Sequence, residues 1–137
     1  MTLAQINETL PNGFHDAEIE QFIWDFSQDT AVLKINFWTA TEEDQDPEKY
    51  QRGIIEIHKI VFIAVDPPDP AQYGPKPYRG SGGTLQIDGM VADEKIFPML
   101  SQLKPSLPSE IEVFSFYVEN WNSFLHIAAA EAILNWS

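Results

Sequence analysis

Alternation of apolar and polar side chains is clearest from Ala31 to Trp38. There Ala31, Leu33, Ile35 and Phe37 share one face and Val32, Lys34, Asn36 and Trp38 the other, the two-residue period of a strand. The segment before it is ambiguous. Phe22, Trp24 and Phe26 alternate as in a strand, while Ile19, Phe22, Ile23 and Phe26 fall at helical spacing. Its aromatic content and the short Ser27-Gln28-Asp29-Thr30 connection favour pairing, so a β-hairpin is predicted. From Gly53 to Val65 a long strand is predicted, with Ile55, Ile57, Val61, Ile63 and Val65 on one face, interrupted by Lys59. Thr84 to Val91 and Glu110 to Glu119 read as two more strands, the second apolar on both faces and therefore interior to the sheet.

The remaining segments are helix or loop, or contested between helix and strand. Leu3, Ile6 and Leu10 are spaced for a short N-terminal helix closed by Pro11 and Gly13, and Pro98 to Lys104 for a second, ended by Pro105. The segment from Ser123 to Trp136 satisfies both periods. Its AAAEA run favours helix by propensity. An alternating face through Phe124, His126, Ala128, Ala130, Ala132, Leu134 and Trp136 favours strand, as does a hairpin return through Asn120-Trp121-Asn122. Strand is the reading adopted. About six strands with one or two short helices imply a mainly β, single-domain chain, an antiparallel sheet forming a sandwich or open barrel.

Two loops stand out. Thr41 to Gly53 gathers Glu42, Glu43, Asp44, Asp46 and Glu48 around Pro47, which predicts an exposed acidic loop. Asp66 to Gly83 holds half of the chain's 10 prolines and more than half of its 7 glycines, a composition incompatible with regular structure, in a loop of a length that is usually either functional or disordered.

Charge narrows the function classes. The 137 residues carry 8 basic and 21 acidic side chains, for a formal charge of −13, which opposes binding to nucleic-acid phosphates and anionic membranes and favours encounter with a basic protein. With no cysteine, disulfides and thiolate metal sites are excluded. The first ten residues lack a basic and apolar leader pattern, and no apolar run approaches the roughly 20 residues of a membrane helix. Cytoplasmic residence is the expectation.

No catalytic signature emerges. His15 beside Asp16 could form a carboxylate-oriented imidazole if the chain bends after Asn12-Gly13, and otherwise a turn histidine with a capping aspartate. With His58, the pair defines one candidate polar site for a small-molecule or metal-dependent enzyme. A metal site would have to draw on His15, His58 and His126, with Glu56 beside His58, and no local H-x-x-x-H or H-E-x-x-H pair supports it. Asp44-Gln45-Asp46 lacks the glycine and terminal glutamate of a calcium loop, and Arg79 to Thr84 lacks the spacing and lysine of a P-loop. Ser115 and Ser123 have no G-x-S-x-G context. No metal or other cofactor is expected. The prolines between Pro67 and Pro77, flanked by Tyr73 and Tyr78, offer either an extended recognition segment or simply a stiffened loop.

Leu10-Pro-Asn-Gly-Phe-His-Asp-Ala17 resembles the opening motif of several families of small bacterial proteins of unassigned activity, in which F-H-D-A precedes a β-hairpin. Val65-Asp-Pro-Pro-Asp-Pro70, following a long strand, is similar too. Some of these families are proposed as immunity proteins of polymorphic toxin systems. The resemblance covers mainly the first half of the chain. It implies an all-β fold, adds weight to the strand reading at the C-terminus, and implies an inhibitor role without assigning functional residues. The combined expectation is a binding protein for a basic partner, with Tyr73 and Tyr78 as anchors and Glu42, Glu43, Asp44 and Asp46 steering encounter. The alternatives are the enzyme described above and a homo-oligomeric subunit joined through a sheet edge.

Overall fold

The computed structural model describes residues 1–73 and 83–137. Its secondary structure begins with α1 (Leu3–Thr9), β1 (Ala17–Asp25), β2 (Thr30–Trp38) and β3 (Tyr50–Val65). It continues with β4 (Leu85–Val91), α2 (Leu100–Leu103), β5 (Glu112–Val118) and β6 (Ser123–Trp136). All strand pairs are antiparallel, and the sheet closes on itself in the order β1-β2-β3-β6-β5-β4. The mainly β reading holds, and the sheet is a closed barrel.

Helix α1 covers one end of the barrel. A capping box fixes its start: the Gln5 amide donates to Thr2 Oγ1 (3.2 Å) and the Thr2 amide to Gln5 Oε1 (2.8 Å), satisfying donors that the first turn otherwise leaves unpaired. Leu3 and Ile6 are buried on the core. The chain then turns at Gly13 (φ +55°), where an added Cβ would collide with Asn7 Oδ1. This turn drives Phe14 into the lumen. Its ring stands edge-on to Phe116 at 5.0 Å and lies 5.6 Å from Phe114 and 5.8 Å from Phe37. Gly89 on β4 makes the room, since a Cβ there would approach Phe14 to 2.7 Å. Leu33, Ile35, Ile55, Ile57, Ile87 and Ile127 fill the rest, all nearly or wholly buried.

The ambiguous segments owe their periodicity to bulges. In β1 the register shifts between Ile19 and Gln21, so the core-packed residues run Ile19, Phe22, Trp24. One three-residue step inside a strand therefore mimics a helix. In β3, Lys59 takes φ +55° and the register with β6 shifts between Ile60 and Phe62. Ile55, Ile57 and Ile60 are buried, whereas Val61 and Val65 are 48% and 58% exposed, which corrects the single face drawn from Ile55 to Val65. Facing that bulge, Ala129 and Ala132 are both buried in the main core. The alternation expected for β6 thus holds only on either side of that step.

A second, smaller core lies on the outer surface. Phe97 and Leu100 pack over Val113 and Ala128, bordered by Phe62, Ala92, Leu103, Leu107 and Ile111. The apolar outer face of β5 is explained by this cover. The short helix predicted over Pro98 to Lys104 starts after Pro98 as α2 and tightens to a 3-10 turn over Lys104–Ser106.

Candidate interaction surface

The turn at residues 12–16 places Phe14 inward and His15 and Asp16 outward, where strands β4, β1, β2 and β3 meet around one end of the barrel. His15 Nδ1–H donates to Asp88 Oδ1 (2.5 Å), and its Nε2 lies 3.4 Å from Asp16 Oδ2. The histidine and aspartate therefore do meet. The backbone bend responsible includes Asp16 itself at φ +55°. The Asp16 carboxylate also accepts from Gln86 Nε2 (3.1 Å), and its carbonyl accepts from the Tyr50 hydroxyl (3.1 Å). Trp38 stands beside His15 with ring centroids 5.9 Å apart.

This surface is acidic. The hydrogen bond from Asp88 raises the His15 pKa above its usual value, with the charges of Asp88 and Asp16 adding to it and partial burial opposing. Tyr50 is raised first by burial and then by the charges of Glu18, Asp16 and Glu48. Arg52 donates to Glu20 (2.7 Å) and is raised by that bond.

The β2–β3 loop continues the same surface. Glu42, Glu43 and Asp46 are exposed. Asp44 instead holds the loop, accepting from the Thr41 amide (2.7 Å) and hydroxyl (3.0 Å) and facing Lys49 Nζ at 3.5 Å. The Thr41 bonds depress its pKa. Asp46 accepts from the Glu48 amide (2.9 Å), and Pro47 accepts from Trp38 Nε1 (2.8 Å). A depression of about 470 Å³ lined by Pro11, Asn12, Trp38, Ala40, Thr41, Glu42 and Pro47 joins the loop to the neighbourhood of His15.

Strand β3 separates the acidic loop at its start from the 66–84 connection at its end, and in that connection a 3-10 turn covers Pro70–Tyr73. Tyr78 lies outside the described residues. His58 lies midway along β3, opposite Thr30 at the start of β2 and 3.4 Å from Glu56 Oε2. His15, Asp16 and His58 do not converge. Among the described residues no group of three or more histidine or carboxylate side chains could hold a metal ion. A groove of about 520 Å³ bordered by Val91, Leu100, Lys104, Leu107 and Ile111 flanks the outer core.

One buried network had no signal in the sequence. His126 is wholly buried on the outer face of β6, stacked on Phe97 at 4.2 Å. Its Nε2–H donates to Asp66 Oδ2 (3.0 Å), leaving Nδ1 of the neutral ring to accept from the Ser115 hydroxyl (2.7 Å). The three residues have the composition of a catalytic triad, but Ser115 has no exposed surface, and a nucleophile must reach its substrate. The arrangement fastens the start of the 66–84 connection to the sheet, together with Asp69, whose carboxylate accepts from Asn122 Nδ2 (3.0 Å).

No family model matches the chain, and no match was found among curated proteins. Among solved structures it is similar to an uncharacterized protein from Neisseria gonorrhoeae, at 10% identity and a TM-score of 0.41, over 88% of this chain and 91% of that one. Nothing is transferred from a likeness of that size. Among the described residues no helix is long and apolar enough to cross a membrane.

Proposed function

We propose that this chain is a cytoplasmic bacterial protein-binding module of the immunity or inhibitor type, which engages a basic protein through the surface built by residues 12–18, the β2–β3 loop and the adjoining strands. The supporting observation is the continuity of charge there. Asp16, Glu18 and Glu48 act on Tyr50, Glu42 lines the depression beside Trp38, Asp88 holds His15 and the exposed Glu43 and Asp46 belong to the same loop, while the nearby cations Lys49 and Arg52 face Asp44 and Glu20. Carboxylates beside partly exposed aromatic rings suit lysine and arginine side chains, through ion pairs and cation–π contacts. Trp38 and Tyr50, which lie on the same surface as the acids, are the anchors in this reading.

The test is affinity capture from a bacterial lysate at low and high salt. A stoichiometric basic protein retained at low salt, released at high salt, and lost by the variant E42Q/E43Q/D46N/E48Q supports the reading. A partner retained equally by that variant, or no partner at any salt, refutes it.

A further inference from the structure

The barrel's closing seam is its shortest. Strands β1 and β4 meet only through Ala17 with Ile87, Glu18 with Gln86 and Ile19 with Leu85, whereas β3 and β6 pair from Gly53 with Trp136 to Val65 with Leu125. A seam with few ladder hydrogen bonds is where a barrel opens at least cost. On its outer side, two side-chain links cross from the residues leading into β1 to strand β4: His15 to Asp88 (2.5 Å) and Gln86 to Asp16 (3.1 Å).

We propose that His15 is a proton-dependent clasp on this seam, so that β1 and β4 part more readily once the imidazole loses its proton. The charged ring carries two N–H donors, and its nitrogens face Asp88 on β4 and Asp16 ahead of β1. The neutral ring has one. The other nitrogen then presents a lone pair to a carboxylate, and two negative charges face each other across the junction with no cation between them among the described residues. The surrounding groups act in the same sense. Trp38 from β2 is uncharged, Tyr50 from β3 donates to the Asp16 carbonyl, Tyr117 from β5 lies opposite Asp88, and Glu18 and Glu48 add negative charge near Tyr50. The pKa raised by Asp88 agrees with this geometry. With the folded value above the open-state value, the clasp is fully engaged below the ordinary histidine range of about pH 6.5 and is lost as pH rises through the raised value.

The experiment is amide hydrogen exchange by NMR on the whole chain between pH 6 and 8.5, expressed as protection relative to intrinsic rates. Protection at residues 17–19 and 85–87 should fall about two- to fivefold across the His15 titration, the size expected of an exposed ion pair. Protection along β2 and β3 should stay constant. His15→Gln should hold the seam at its high-pH protection throughout, and Asp88→Asn should shrink the change and bring the imidazole titration back toward about pH 6.5. The proposal is overturned if seam protection does not vary with pH, if His15→Gln follows the same pH curve as the parent, or if the His15 ring titrates at or below the ordinary value. It stands or falls independently of any partner.

Discussion

Replacing Ser115 by alanine removes one hydroxyl and leaves the Nδ1 of His126 without its donor in a position that water does not reach. Both residues have zero exposure, and the bond lost is 2.7 Å long. An unsatisfied buried polar atom costs about 1–3 kcal/mol, and the void left by one oxygen is too small to relieve it with water. For a domain of this size, each kcal/mol lowers the melting temperature by roughly 3–6 °C. Asp66→Asn keeps the shape but replaces a charge-assisted bond by a neutral one. Because the Asp66 side chain is 40% exposed, that change should cost less, about 0.5–1 kcal/mol. The two substitutions act on a single imidazole and should not add. Urea unfolding followed by tryptophan fluorescence for the parent, both single variants and the double variant gives the cycle, and a coupling of about 0.5 kcal/mol or more is expected. Should Ser115→Ala unfold within about 0.3 kcal/mol of the parent, with the pair additive, the network would be a coincidence of packing rather than a linked unit.

Three further outcomes follow from geometry already described. Gly89→Ala places a Cβ within 2.7 Å of Phe14 and 2.9 Å of Phe114, and overpacking of the lumen should cost about 1–3 kcal/mol by urea unfolding. Phe14→Ala empties the space that the Gly13 turn fills and should cost about 3–5 kcal/mol in the same assay. Asp44, whose pKa is depressed by the Thr41 bonds, contributes order to the β2–β3 loop above the ordinary aspartate range of about pH 4 and loses it as pH falls through the lower folded value. The amides of Thr41 and Asp44 should therefore lose protection in acid, and Asp44→Ala should show that loss already at neutral pH.

Strand β2 and helix α1 were legible because each obeys one period from end to end and each has a local signal at one end, the Ser27-Gln28-Asp29-Thr30 turn before β2 and Pro11 with Gly13 after α1. β1, β3 and β6 were blurred by three-residue steps such as Ile19 to Phe22 and Ile57 to Ile60, which a bulge and a helix turn produce alike. The candidate residues fared according to how far apart in the chain their partners lie. His15 and Asp16 were visible as neighbours, but Asp88, which orders the imidazole, sits on a strand whose register no local pattern reveals. Ser115, His126 and Asp66 come from β5, β6 and the end of β3, and only the pairing of Ser115 with His126 and of Ala64 with His126 aligns them. The separation of the acidic loop from Tyr73 could have been read in advance. The acidic loop and the 66–84 connection leave β3 from its two ends, and Trp38 and Tyr50 are the aromatics that bracket the acidic loop.

The most direct test of the proposed binding surface is the salt dependence of the association rate with the captured basic protein, compared between the parent and the variant E42Q/E43Q/D46N/E48Q. Exposed acids away from the core should leave stability within about 0.5 kcal/mol of the parent. If they steer encounter, the parent's rate should fall steeply as ionic strength rises, and the variant's should be about tenfold slower at low salt and nearly flat. Equal rates and equal salt slopes for the two proteins would contradict the account.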